Sequence, residues 1–469
     1  MPGLMMIVVS PHAGCTAGAG ASTGASPAGL RSTPVVAGGM TALRKLPDDQ
    51  GLLAARGRQV LGVTPQGEQW LAFDGEPPTP ASIITDFCLT GRDLVLIWGD
   101  EAVDRCRPAG VPAGDRVWRT TRRWTAEELG LLPRSVTAVN TTIYITGEGG
   151  VVNLDDGTRM LDGMTINAPV CATALGPVAC EGRRAYTIHD GAYVGSASRV
   201  QRDGDALIFL RRSAEHSEFG FMDLSLRERD VRTHSASTER SVHAVHRDQR
   251  GLVVLCDDVL EFHTLHQANG REWLALARVV PLAGARHAVP HPGGVTAVAG
   301  ARGLCAVSDG RDRTPDVIVT GIGEITASAF DGRLLRTAGG AGDVVFDLDG
   351  TLLDEPIPGD IVSTRSRHAQ SLEFSISLRD GFADWTTSDG RSATINVDVT
   401  ADYGSVVIVD GDAWIGHRRG VTVIVDNGTN TPDVLSSRDL ARVIDVHPLL
   451  DGTGVVAVSD MLGVRMVRR

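Results

Sequence analysis

The residues best placed by type and spacing to do chemistry are Asp347 and Asp349, in the stretch Asp343-Val344-Val345-Phe346-Asp347-Leu348-Asp349-Gly350-Thr351-Leu352-Leu353-Asp354-Glu355. Residues i and i+2 of a strand share one face, so both carboxylates can point into one site. Gly350 and Thr351 would let the chain turn sharply just beyond. The same stretch carries Asp349-Gly350 between two apolar runs, a dipeptide that supplies the positive φ of a two-residue hairpin turn. Asp347 and Asp349 are therefore either a catalytic pair or parts of a turn.

Other groups with chemical potential are scattered. His243-x-x-His246 and His263-x-x-His266 suggest a metal, but on a strand positions i and i+3 point to opposite faces, so neither pair chelates by itself. Pro290 between His287 and His291 excludes a helix-face pair there. The seven cysteines (Cys15, Cys88, Cys106, Cys171, Cys180, Cys256, Cys305) have no C-x-x-C and no zinc spacing. Asp155-Asp156 and Asp257-Asp258 follow apolar runs, as catalytic carboxylates often do, but sit where turns belong. Arg183-Arg184, Arg211-Arg212 and Arg418-Arg419 are candidate anion contacts or solvated surface. No Gly-x-Ser-x-Gly nucleophile elbow occurs. We expect no catalytic, cofactor-binding or metal residue and no cofactor, with Asp347 and Asp349 as disfavoured catalytic candidates.

The run from Val344 to Leu353 resembles the first motif of the haloacid-dehalogenase phosphatases. That resemblance implies that Asp347 attacks a phosphoryl group while Asp349 protonates the leaving group. It covers about a dozen residues. The fold it implies needs strands alternating with helices around a parallel sheet. After Glu355 the pattern offers strands and turns, and one short helix around Ser437 to Val443. The family also needs a later Lys or Arg, and Lys45, the one lysine, precedes the motif. The rest of the chain thus favours a hairpin.

Composition narrows the function classes. The 45 basic residues are outnumbered by 57 acidic ones, for a net charge of −12, which disfavours nucleic acid and anionic membrane as partners. Aromatic content of 4% argues against a base-stacking or sugar-stacking surface. Isolated thiols suit a reducing compartment, so the expected location is cytoplasmic. Ala13-Gly14-Cys15 faintly resembles a lipobox, which would make Cys15 a lipid anchor, but a basic leader is lacking. Residues 1–39 are Ala/Gly/Ser/Thr/Pro-rich and read as a disordered leader, with Met40 as a possible start. Gly18-Ala19-Gly20-Ala21-Ser22-Thr23-Gly24 lacks the lysine of a phosphate loop.

From Gly51 onward, Asp-Gly and Asn-Gly turns recur between Val/Ile/Leu runs, which means mostly antiparallel sheet. Apolar runs beginning near Leu94, Val151, Ala206, Leu252, Val295, Val344, Val406 and Val455 repeat every 52 residues or so, near the upper end of propeller periods. Thr137 to Leu154 resembles a quinoprotein-like propeller repeat, and Ile325 to Gly340 with the following motif resembles a WD40-like blade lacking the Trp-Asp dipeptide. The resemblance is to the β-propeller superfamily and implies one domain over 40–469, all-β, with roughly seven four-stranded blades, six to eight allowed. The strand Val464 to Val467 would pair with an N-terminal strand, for which Gln59-Val63 and Gln69-Phe73 are candidates, and so close the ring. Thr125-Ala126-Glu127-Glu128-Leu129 reads as a short helix capped by Thr125 and ended by Pro133.

The function expected from such a frame is a non-catalytic platform that binds another protein through its loops. The alternative is an enzyme or small-ligand binder using the central channel. Three or more carboxylate, His or Arg side chains converging at the channel mouth would favour that alternative, and an apolar or mixed loop surface the platform.

Overall fold

A computed structural model describes residues 30–47, 50–66, 68–109, 117–203, 206–223, 234–248, 250–269, 271–291, 295–308, 315–353, 361 and 365–469. The described chain forms eleven four-stranded antiparallel sheets. In all but the last, the strands follow chain order. We number these blades along the chain: 42–74, 84–125, 132–160, 171–196, 199–238, 242–281, 285–320, 325–353, 368–396, 405–437, and 443–468 completed by Arg31–Ala37.

Blades 1 to 7 make a closed ring. Each packs its face on the next, and seven separate apolar cores lie between them. The closing core joins Leu43, Leu52 and Val63 of blade 1 to Ala297, Leu304 and Val319 of blade 7. The closure explains the sequence. A strand with both neighbours paired and both blade faces covered must be apolar throughout, as in Gly251–Cys256, which is buried at every position. An outermost strand alternates, as in Ser392–Asn396.

Blades 8 to 11 form a second body in which blade 11 packs on both blade 10 and blade 8, and blade 10 on blade 9. Among the described residues no shared apolar core joins blade 8 to blade 9. The two bodies meet along two crossing segments and through Arg302, whose Nε donates to Ala341 O at 2.7 Å. Ile322 N–H donates to Ala37 O at 2.8 Å, and Met40 N–H to Gly300 O at 2.8 Å. Gly39 is needed there, because a Cβ would stand 2.8 Å from the Ala301 backbone.

The all-β class, the four-stranded blades and the pairing of N-terminal with C-terminal strands agree with expectation. The arrangement corrects three details. The described residues form eleven blades, seven of them in the closed ring. The first strands advance from Ala42 to Val443 in ten steps of about 40 residues. Between Leu94 and Val455 the apolar runs skipped blades 4 and 9, and that omission stretched the period to about 52. The terminal pairing completes blade 11, outside the ring, with Ser32 opposite Val467 and Val36 opposite Val464. Gln59–Val63 and Gln69–Asp74 instead belong to blade 1.

The expected leader therefore ends too late. Its last residues, Arg31–Ala37, are a strand, and a chain begun at Met40 would leave blade 11 three-stranded. Residues 1–29, with Cys15 and the glycine-rich segment, lie outside the described residues. The helical turn Ala126–Leu129 has the expected Thr125 cap, completed as a capping box by Glu128, but ends at Gly130 in the left-handed conformation, while Pro133 lies in the next strand. No helix forms over Ser437 to Val443, where two strands flank a turn containing Arg442 at φ 58°.

Candidate functional site

The first strands of the ring blades lie nearest the axis, and those of blades 1 and 3 to 7 line a channel of about 470 Å³. Ala42–Lys45 contributes Arg44, Arg199–Asp203 contributes Arg199 and Arg202, Val242–Arg247 contributes His243, and Ala285–His291 contributes Arg286 and His287. Ala138, Val170 and Ala288 supply apolar wall. Cationic and imidazole groups from four blades thus converge in one cavity of the size small-molecule sites have.

The charges are unevenly matched. Arg44 is ion-paired with Asp86 of blade 2. That carboxylate also accepts from Ser135 Oγ at 2.7 Å, Val136 N–H at 3.1 Å and Phe87 N–H at 2.8 Å. Arg286 lies 3.4 Å from Glu324, and its Nη1 is 3.5 Å from His243 Nε2. His243 in turn reaches Asp257 at 2.8 Å. Arg199 is different. Its Nη1 donates to the His243 carbonyl at 3.1 Å, while its Nε is buried without a partner. Burial, with the neighbouring Arg44 charge, pushes Arg199 down to about 10, so it is still a cation at neutral pH. Burial and Arg44 also push His287 down to about 4 and leave it neutral.

The carboxylates singled out in the sequence are spent on a turn. Val344–Asp347 and Leu352–Leu353 are the third and fourth strands of blade 8, joined through Asp349-Gly350. Thr351 N–H donates to Asp347 Oδ1 and Asp349 Oδ1, both at 3.0 Å, and Thr351 Oγ1 donates to Asp349 Oδ1 at 2.6 Å. Contact with Asp347 and the Thr351 donors lower the Asp349 pKa. Gly350, at φ 88°, is also a packing residue, since a Cβ would stand 2.4 Å from Val35 O. This lateral hairpin is the geometry that contradicts a phosphatase motif.

The remaining candidates are dispersed. His246 meets Thr296 Oγ1 at 3.3 Å, His263 meets Glu261 Oε2 at 3.0 Å, and His266 stacks on Trp273. Among the described residues no group of three His, Cys, Asp or Glu could hold a metal ion. Asp155 pairs with Arg105, and Asp258 accepts from Gly284 N–H at 3.3 Å. Arg211 lies over Phe209 and donates to Ser196 O at 2.7 Å, and Arg419 pairs with Asp398. Burial pushes the Cys88, Cys106, Cys180 and Cys256 thiols up to about 12. Among the described residues, no helix is long and apolar enough to cross a membrane.

Arg44, Arg199 and Arg286 were not singled out, and His287 was weighed only as a pair with His291, because sequence patterns weigh neighbours along the chain. A usable signal exists: each sits within the first three residues of a blade's first strand. Recognising it requires knowing which strand of four comes first.

No family model and no curated protein matches the chain. Solved structures do. Porphyromonas gingivalis PorZ, described as a bacterial surface component of the type-IX secretion system, aligns over 92% of this chain at 13% identity and TM-score 0.46. The chain spans 66% of that protein's length. U3-55K aligns over 58% of this chain and 91% of its own, at 11% identity and TM-score 0.40. The WD40 domain of Toxoplasma gondii coronin aligns over 61% and 88%, at 10% identity and TM-score 0.39. The closed ring of four-stranded blades is by itself a β-propeller.

Proposed function

We propose that the protein binds a small molecule in the axial channel of its seven-bladed ring. The observation that carries this is the convergence of Arg44, Arg199, Arg202, Arg286, His243 and His287 on one cavity of about 470 Å³. Polar groups held on strands of a closed ring are preorganised, so little conformational entropy is lost on binding. The test is thermal-shift screening of a metabolite library against the whole chain and a Gln201→Trp variant. Gln201 lines the channel and is exposed within it, so the indole fills space without disturbing a core. A ligand that raises the melting temperature of the wild type and not of Gln201→Trp supports the reading. Ligands that act equally on both proteins contradict it.

A protein-interaction platform is the second reading, favoured by one strand. Arg271–Pro281 is the outermost strand of blade 6, and it exposes Trp273 (46%), Leu276 (53%) and Val279 (43%). An outer edge with large apolar side chains suits addition of a strand from another protein. A stoichiometric partner that co-purifies with the wild type and is lost from a Trp273→Ser, Leu276→Ser variant would support this role.

A further inference from the structure

Arg199 is half-buried with its Nε enclosed, and its charge is poorly compensated. A guanidinium removed from water needs a counter-ion and partners for its N–H groups. Among the described residues no carboxylate lies within ion-pair distance of Arg199, and its Nε has no acceptor. The charges around it offer little relief. Arg44 and Arg212 repel it, and the Asp86 carboxylate already serves Arg44, Ser135 and two backbone N–H groups. Nothing in the packing of blade 5 requires a cation at this position, since Val200 beside it supplies the core contact. Arg199 is part of the channel lining.

We propose that the channel is an oxyanion site, in which Arg199 holds the phosphate or carboxylate group of a small organic anion, with Arg44 and Arg286 as further donors. This rests on the reading of the channel as the ligand site. The paired Nη groups of a guanidinium match two oxygens of either group in parallel hydrogen bonds, a fit that an ammonium cannot reproduce. Low dielectric and a missing counter-ion make that pair strong, because the ligand supplies the charge the protein lacks.

The experiment uses the whole chain as wild type, Arg199→Met, Arg199→Lys and the exposed control Arg183→Met. Inorganic phosphate, pyrophosphate and citrate are the probes, with potassium chloride matching ionic strength. Melting temperatures and calorimetric titrations are the readouts. We expect at least one probe to stabilise the wild type by about 2 °C or more, and its affinity to fall about tenfold or more in Arg199→Met. Arg199→Lys keeps the charge but loses the fork, so it should also bind more weakly, while Arg183→Met should match the wild type. Without ligand, Arg199→Met should melt higher than the wild type, because an uncompensated charge has gone. A purely structural arginine would make that variant melt lower.

Preference for pyrophosphate over citrate would identify the phosphate source, and the reverse the carboxylate source. Equal binding to wild type and Arg199→Met would mean adventitious ions only and overturn the proposal. If no oxyanion binds but a neutral molecule binds in a manner lost in Gln201→Trp, the oxyanion claim falls and the channel reading stands. If neither binds, both fall.

Discussion

Asp86 and Asp445 occupy the same place in different blades, near the start of a first strand and just past a bulge. Each is a buried carboxylate that ties its blade to two others. Asp86 takes Arg44 from blade 1 and Ser135 from blade 3. Asp445 takes Ser405 Oγ of blade 10 at 2.7 Å and Ser328 Oγ of blade 8 at 3.2 Å. Removing one acceptor strands several donors, so Asp445→Leu should cost about 3 kcal/mol, seen as a lower urea midpoint. A variant within about 0.5 kcal/mol of wild type would show that the serines find water instead. Histidines give a second residue-scale prediction. Burial pushes His246 and His417 down to about 4, against about 6.5 in an unfolded chain. The unfolded state then binds more protons between these values, so this stability is whole above about pH 6.5 and lost as pH falls toward 4. Melting temperature followed from pH 7 to 4 should decline, and His246→Gln should flatten the decline. Neither the latches nor these histidines could be recognised from the sequence. A polar residue in an apolar strand looks the same whether it faces solvent or a serine from another blade.

Strands and turns were far more visible. Asp-Gly and Asn-Gly dipeptides between apolar runs mark hairpins by local chemistry, and Asp349-Gly350 proved to be one of them. Strand Arg31–Ala37 was hidden because its neighbours are small and polar and its partner lies more than 400 residues away. Its docking yields two predictions. Gly350→Ala must push Val35 back and adopt a positive φ, so it should cost about 1–2 kcal/mol in thermal unfolding, whereas a flexible loop would lose almost nothing. Deleting residues up to 37 should expose the edge of Gly463–Arg468, and size-exclusion chromatography should show self-association that the intact chain lacks.

At the scale of the whole molecule, repetition was readable but partition was not. Blades 7 and 8 present the same kind of turns and runs, so nothing local says that blade 7 returns to blade 1 while blade 8 begins something new. That is decided by how many blades close a circle, a property of summed inter-blade angles. Closure also places the channel, because Arg44 from the first blade and Arg286 from the seventh meet only when the ring is shut. Residues 38–324 therefore contain every core of the ring and every side chain of the channel. The most direct measurement is thermal unfolding of that fragment followed by circular dichroism. A single cooperative transition from a β-rich spectrum would be the result this architecture predicts. A fragment that is unfolded, or melts without cooperativity, would contradict a self-contained ring.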